Sequence, residues 1–164
     1  ETTMAIINPV ETFILAAVLK DAVYLMSART MTASRILLIP AESIRDIFER
    51  DAAFARSIVQ ELSVRYRDMV KLLKNQKLRT SVERLANYLL HEHKCQGANG
   101  ALTLPTDKRT LATLLGMTPE NLSRAFGTLG PSGVSVEGAR IGLSKLDDLE
   151  TLAKPNPLTD DPIT

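Results

Sequence analysis

Residues 52–80 form a long stretch without glycine or proline. Because these two residues are the strongest helix breakers, the stretch predicts one helix of roughly eight turns. Along it, small or apolar side chains recur at alternating steps of four and three: Ala55, Val59, Leu62, Tyr66, Met69 and Leu73. That spacing is a heptad seam and favours packing against a second helix, although a stripe buried within its own domain would follow a similar rhythm.

The residues before this helix have a different pattern. Short apolar runs between residues 3 and 40, interrupted by Pro9 and Pro40, predict β-strands. The run FILAAVL, residues 13–19, fits a helix as well as a strand, and both interpretations stay open. Residues 40–51 then predict a short helix. The N-terminal third of the chain is therefore expected to be mainly β.

Two short helices are predicted on either side of Gly116. The first covers residues 106–116, with Thr106 placed to cap it and Gly116 suited to a left-handed residue at its end. Thr118 would cap the second helix, and Pro119 would occupy its first position, where a missing N–H costs nothing. This spacing, after an amphipathic helix over residues 81–94, is typical of a helix-turn-helix.

The residues that follow predict a wing. GVSVEGARIGL, residues 133–143, fits a β-hairpin with Glu137 and Gly138 as its turn. Residues 144–153 predict a last helix. The tail, 154–164, has three prolines and two acids and is expected to be disordered.

One face of the second helix carries polar side chains that suit base recognition. Glu120, Ser123 and Arg124 lie at i, i+3 and i+4, and so share a helical face. Arginine donates two hydrogen bonds to guanine, glutamate accepts from cytosine, and serine does either. A plain surface ion pair between Glu120 and Arg124 is the alternative interpretation.

At these residues the sequence resembles the cAMP receptor protein/fumarate–nitrate reductase regulator (CRP/FNR) family of bacterial transcription factors. RTLATLLGMTPENLSRAFGTLGPSGVSVEGARIGL, residues 109–143, is the most specific part, and residues 32–70 resemble the family's last β-roll strand, short helix and dimer helix. The pattern of Glu120, Ser123 and Arg124 is similar to the fumarate–nitrate branch. The cAMP branch has arginine at the place of Pro119 and glycine at the place of Ser123.

The resemblance implies an α+β protein with four parts. Residues 1–51 would be the C-terminal part of a β-roll (cupin-like jelly roll) sensor domain, whose N-terminal part we expect to be missing. Residues 52–80 would be the dimerisation helix, and residues 81–153 a winged helix-turn-helix DNA-binding domain, followed by the tail.

The same resemblance implies a homodimeric transcription regulator. It would bind a TTGAT-like palindrome in double-stranded DNA and contact RNA polymerase. Lys108, Arg109 and Thr118 would touch phosphates, which positions the second helix without reading sequence. The heptad seam would supply the two-fold axis that a palindrome requires.

We do not expect the effector to be a cyclic nucleotide. In cyclic-nucleotide-binding members a Gly-Glu pair and an Arg-Ser/Thr-Ala run hold the ribose and phosphate, whereas Ile14–Leu15 and Tyr24–Met26 take those places here. With one cysteine, Cys95, this chain cannot build an iron–sulfur cluster by itself. Haem stays open as a cofactor. Its conceivable ligands are Met4, Met26, Met31, His91 and His93, although core packing explains the methionines more simply and surface positions the histidines.

Composition limits where the protein is expected to be found and which functions it is expected to have. A single cysteine fits a reducing compartment, and no apolar run reaches the roughly 20 residues of a membrane helix, so we expect a cytoplasmic protein without a membrane partner. The sequence shows no paired carboxylates, no Ser/His/Asp set and no phosphate-binding glycine loop, so no such motif indicates an enzyme. A winged-helix module for protein contacts, without specific DNA binding, is the alternative function.

Overall fold

The computed structural model describes residues 2–97 and 99–160. The chain divides into two compact units: residues 7–69 form one, and residues 70–160 together with residues 2–6 form the other. The dividing point falls within a continuous helix, so the predicted boundaries at residues 51 and 80 stay predictions. No helix in the described part of the chain combines the length and apolarity needed to cross a membrane.

The first unit is helical. It contains α1 (Leu15–Lys20), α2 (Ala41–Arg50) and most of α3 (Ala52–Leu78). Arg45 of α2 joins it to α1, because its Nη1 atom donates to the Val18 carbonyl at 3.1 Å and lies 3.1 Å from Asp21. Ile58 is the buried residue of α3. The short helix and the long helix predicted from the sequence are thus confirmed.

The strands predicted between residues 3 and 40 do not form in the described residues 2–40, and α1 occupies most of the ambiguous run FILAAVL. A strand needs a neighbour for its backbone hydrogen bonds, whereas a helix makes them internally. The apolar run at residues 36–39 has no such neighbour, and Leu37 and Leu38 are more than 80% exposed. The β-roll expected for residues 1–51 is therefore not seen as strands in the described residues, although the expected α+β class is confirmed by the helices and the small antiparallel sheet of the second unit.

The second unit mixes helices with a small sheet. Its elements are the end of α3, α4 (Ser81–Cys95), β1 (Ala101–Thr103), α5 (Lys108–Leu114), α6 (Pro119–Leu129), a 3-10 turn (Gly130–Ser132), β2 (Val134–Glu137), β3 (Arg140–Leu143), α7 (Leu146–Ala153) and α8 (Pro157–Asp160). Its core is aliphatic, and the largest fully buried side chains are Leu85, Leu89, Leu111, Leu122, Leu129, Ile141 and Leu149. The helices α4, α5, α6 and α7 and the strand β3 all contribute to this core.

The sheet is antiparallel with strand order β1-β3-β2. The β2–β3 hairpin pairs Glu137 with Arg140, so Gly138 and Ala139 form the two-residue turn. Gly138 has a φ of 64°, a conformation that glycine adopts freely. The hairpin was predicted correctly, but its turn lies one residue later than the expected Glu137 and Gly138.

The tail is more ordered than its composition predicted. Residues 157–160 form α8, and Asp160 accepts hydrogen bonds from Arg79. Two contacts hold the segment: the partly buried guanidinium of Arg79, just after α3, pairs with Asp160, and the Asn156 side chain accepts from the Leu158 N–H at 2.9 Å. The rest of the predicted disordered tail, residues 161–164, lies outside the described residues.

Candidate nucleic-acid interface

The turn between α5 and α6 is built on Gly116. Its φ is 63°, and its N–H donates to the Thr113 carbonyl at 3.0 Å. The next N–H, of Met117, donates to Ala112 at 2.9 Å. These two bonds are the Schellman pattern, which satisfies the last carbonyls of a helix and requires a left-handed residue. The sequence-based assignment of Gly116 is confirmed.

The start of α5 differs from the prediction. Asp107, not Thr106, caps the helix, because the Asp107 carboxylate accepts from the Thr110 N–H at 2.9 Å. This bond lowers the pKa of Asp107. Thr106 is buried, and its hydroxyl has no hydrogen-bond partner among the described residues. Both residue types cap helices well, so the sequence alone could not choose between neighbours.

The start of α6 follows the prediction. The Thr118 hydroxyl accepts from the Asn121 N–H at 3.2 Å, and Pro119 occupies the first helical position. On the inner face, Leu122, Ala125 and Phe126 are buried with Leu111 and Leu115 of the preceding segment. The cap and the buried face together fix both the direction of α6 and its rotation about its axis. The opposite face is therefore held toward solvent.

Glu120, Ser123 and Arg124 are all exposed on that outer face. Arg124 does not pair with Glu120, which is the contact that the ion-pair alternative requires. Its Nη2 atom instead donates to Oδ1 of Asn121. The guanidinium is thus hydrogen-bonded to a neutral amide and forms no direct ion pair with Glu120, so it stays accessible to an anionic or acceptor-rich ligand.

Glu120 is prepared to act as an acceptor. Its own backbone N–H, the Thr118 hydroxyl and the nearby Arg124 charge lower the pKa of the carboxyl. A carboxylate in the first turn of a helix is also favoured by the helix dipole. Glu120 is therefore ionised at neutral pH and able to accept a hydrogen bond from an amino group.

Two cations project from the first turn of α5. Lys108 and Arg109 are exposed, and Nζ of Lys108 lies 6.0 Å from the centroid of the Phe126 ring. Cations at a helix N-terminus oppose the helix dipole, so these side chains add nothing to the stability of α5 by that effect. Their exposed charges, with Lys108 beside Phe126 of α6, are suited to binding an anion.

The predicted seam on α3 is largely uncovered. Val59, Tyr66, Met69 and Leu73 are each more than half exposed, and Tyr66 reaches 72%. Ala55 and Leu62, the remaining seam residues, are half-buried. Apolar side chains repeat along this side of α3 with a large part of their surface in water.

The residues considered for a sensor site are scattered. Tyr24, Leu25 and Met26 are exposed, so they do not line an enclosed pocket. His93, expected at the surface, is buried in the core of the second unit, where Nε2 accepts from the Gly100 N–H at 3.0 Å. His91 is exposed beside Cys95. Among the described residues no three His, Cys, Asp or Glu side chains are grouped to share a metal ion.

Sequence reasoning missed two residues that contact the turn or the outer face of α6. Asn121 was not singled out, although a polar side chain three residues before an arginine on a helix is a recognisable signal. Arg84 was also missed: its Nε donates to the Leu115 carbonyl at 2.8 Å, across 31 residues of sequence. No local pattern could have indicated that contact.

Comparison with known proteins identifies related domains. A family model described as a Crp-like helix-turn-helix domain matches residues 83–152. A provisionally assigned cAMP-binding regulatory protein from Silicibacter pomeroyi is similar at 32% identity and a TM-score of 0.52, over 71% of this chain and 51% of that chain. No curated protein matches.

Two further solved structures have a similar fold. FixK2 from Bradyrhizobium japonicum is 24% identical, with a TM-score of 0.59 over 72% of this chain and 61% of its own. A provisionally assigned transcriptional regulator of the CRP/FNR family from Eubacterium rectale is also 24% identical, with a TM-score of 0.63 over 72% of this chain and 54% of its own. The chain therefore spans between half and two thirds of the length of the structures it matches.

Proposed function

Because this chain belongs to the CRP/FNR family, we propose that it is a DNA-binding transcription regulator in which α6 reads base edges in the major groove. The observation that carries the proposal is the exposed face of α6. Glu120, Ser123 and Arg124 project together from a helix whose opposite face is buried. Family members are regulators rather than enzymes, and we propose no catalysis here.

The three side chains have complementary roles in this proposal. Arg124 would donate to O6 and N7 of guanine after releasing Asn121, and Glu120 would accept from N4 of cytosine. Ser123 would donate or accept at the neighbouring base. Lys108, Arg109 and Thr118 would hold phosphates and set the register of α6. The similarity of the Glu120, Ser123 and Arg124 pattern to the fumarate–nitrate branch supports a TTGAT-like half-site.

A second copy of the chain is the proposed occupant of the α3 seam. The seam extends from Ala55 to Leu73, about 27 Å along the helix axis. Its alternating spacing is that of a two-stranded coiled coil, and its exposed apolar surface would be covered by an identical helix. A two-fold dimer would present two α6 helices to a palindrome. Once bound at a promoter, such a dimer would contact RNA polymerase.

The proposed effector is not a cyclic nucleotide. Ile14, Leu15, Tyr24, Leu25 and Met26 occupy the places of the ligand-binding residues, and none carries a cation for the phosphate. The Silicibacter pomeroyi relative is described as cAMP-binding, so calorimetric titration with cAMP is the direct check. Saturable binding would overturn this part of the proposal. An absorbance spectrum of natively purified protein would reveal haem.

The base-reading role is tested with Arg124→Ala. Because one bidentate contact discriminates by about 1–3 kcal/mol, its loss should weaken binding to a TTGAT palindrome by roughly 5–150-fold, measured by fluorescence anisotropy. A scrambled duplex should be bound equally by both proteins. Arg50→Ala removes an equal charge at an exposed position outside α6 and serves as the control. Equal binding of wild type and Arg124→Ala to both duplexes would refute base reading.

The phosphate role and the alternative function are separated by salt. Arg109→Ala should weaken binding to both duplexes alike and reduce the slope of log affinity against log salt by about one. A winged-helix module that binds only proteins would show no steep loss between about 50 and 200 mM salt. That result for the wild type would favour the interaction module.

A further inference from the structure

The C-terminal segment is attached to the junction between α3 and α4. Both oxygens of the Asp160 carboxylate accept from Arg79, Oδ1 from Nη1 at 2.6 Å and Oδ2 from Nη2 at 2.5 Å. The Arg79 side chain is only 10% exposed. A second contact lies beside it, where Lys154 pairs with Glu83 at 2.9 Å. The segment thus crosses the junction at two charged points.

The backbone carbonyl of Arg79 is connected to the helix-turn-helix through Arg84. The Arg79 carbonyl accepts from Nη1 of Arg84 at 2.7 Å. The other guanidinium nitrogens of Arg84 donate to the carbonyls of Leu115, at 2.8 Å, and Gly116, at 3.4 Å. Arg84 therefore joins the α3–α4 junction to the turn before α6, using carbonyls that the end of α5 leaves unsatisfied.

These contacts form one connected path. It runs from the Asp160 carboxylate to the Arg79 side chain, from the Arg79 carbonyl to Arg84, and from Arg84 to the turn. Arg84 lies in the first turns of α4, which begins at Ser81, two residues after Arg79. The path therefore restrains the turn before α6 only while Arg79 keeps its position. Loss of the Asp160 carboxylate would take away the bidentate partner of Arg79 and leave its guanidinium with Asn75, whose Oδ1 lies 3.2 Å from Nη1, which favours movement of that side chain.

We propose that Asp160, Arg79 and Arg84 are positioning residues for α6, and that the C-terminal segment holds the turn before the reading helix in place. None of the three is proposed to touch DNA. The consequence for DNA affinity rests on the proposed function, whereas the restraint on the turn does not. The turn ends at Thr118, the cap of α6, so motion there changes the direction of the whole helix.

The test uses the full chain without DNA. Asp160→Asn keeps the shape of the side chain and removes its charge, and Asp148→Asn, an exposed carboxylate on α7, is the matched control. Hydrogen exchange is followed by mass spectrometry in peptides covering residues 115–121 and residues 85–90. We expect Asp160→Asn to speed exchange at residues 115–121 by about fivefold or more, with residues 85–90 and the Asp148→Asn protein unchanged.

A rescue variant and DNA binding complete the experiment. Asp160→Glu should restore slow exchange, and Arg84→Lys, which cannot serve all three carbonyls, should reproduce the effect of Asp160→Asn. Unchanged exchange at residues 115–121, or equal acceleration at residues 85–90, would overturn the proposal. In anisotropy measurements Asp160→Asn should lose a similar factor of affinity. If the wild type binds no DNA, the proposed function fails, while the exchange result still decides the positioning role.

Discussion

Gly116→Ala is expected to destabilise the helix-turn-helix. Gly116 is the left-handed residue of the Schellman turn, with a φ of 63° and hydrogen bonds on both sides that keep it there. An alanine Cβ at this φ lies too close to the following carbonyl oxygen, which costs roughly 1–2 kcal/mol. The change also stiffens the unfolded chain, a gain of about 0.4–1 kcal/mol where the native conformation is compatible.

A second contact adds little to this cost. The new Cβ would lie 2.5 Å from Nε2 and 2.8 Å from Cδ of Gln76. These atoms are the end of a flexible side chain, so Gln76 can rotate away and lose some packing. The backbone term therefore decides the sign, and we expect a net loss of about 1 kcal/mol in the free energy of unfolding.

Gly127→Ala is the matched control. Gly127 lies within α6 and is exposed, and an added Cβ would meet no atom within 4 Å. Glycine in a helix interior costs about 0.5–1 kcal/mol relative to alanine, so this substitution should stabilise the domain by that amount. The same chemical change is thus expected to act in opposite directions eleven residues apart.

The pair is measured by urea unfolding followed by circular dichroism. Hydrogen exchange of peptides within residues 81–153 assigns the change to the second unit, since the chain contains two units and need not unfold in one step. The two variants should differ by about 2 kcal/mol. A Gly116→Ala protein as stable as Gly127→Ala would refute the assignment of a left-handed turn.

Two further changes test the cap of α4 and the seam. Hydrogen bonds from the Thr80 N–H, from Lys154 and from the Thr80 hydroxyl lower the pKa of Glu83 from 4.5 to about 2. The stability that the ionised Glu83 gives to the fold is therefore present above pH 4.5 and is lost as the pH falls toward 2. Glu83→Ala should cost about 1–3 kcal/mol at pH 7 and flatten the stability profile across that window, and an unchanged profile in urea unfolding would contradict this. Met69→Glu should convert a dimer to a monomer in sedimentation, whereas Ser57→Glu, off the seam, should not; a monomeric wild type would contradict the seam assignment.

Local patterns predicted the parts of the interface whose hydrogen bonds close within a few residues. The Thr118 cap bonds three residues ahead, and the Gly116 turn bonds three residues back. The absence of glycine and proline sufficed for α3. Local patterns failed to choose the N-cap of α5, because Thr106 and Asp107 are adjacent and both residue types cap helices well.

Propensity also failed where long-range partners decide. The apolar runs before α2 have strand-like composition, yet a strand requires a neighbouring strand that composition cannot supply. The tail has a disordered composition, yet it contains α8, which is capped locally by Asn156 and paired through Asp160 with Arg79. The missing strands reflect an absent neighbour, and the order of the tail reflects a distant partner together with a local cap.

The sequence by itself determined the helix-turn-helix, the exposed side chains of α6 and the rhythm of the seam, because helix periodicity places residues on faces without reference to the rest of the fold. Only the tertiary structure decided how the turn is held. Arg84 contacts Leu115 across 31 residues, Asn87 contacts Ala153 across 66, and Arg79 contacts Asp160 across 81. These bonds join polar side chains to backbone carbonyls, and one charged side chain to another, in pairs that meet only after the core has packed, and no local spacing encodes them.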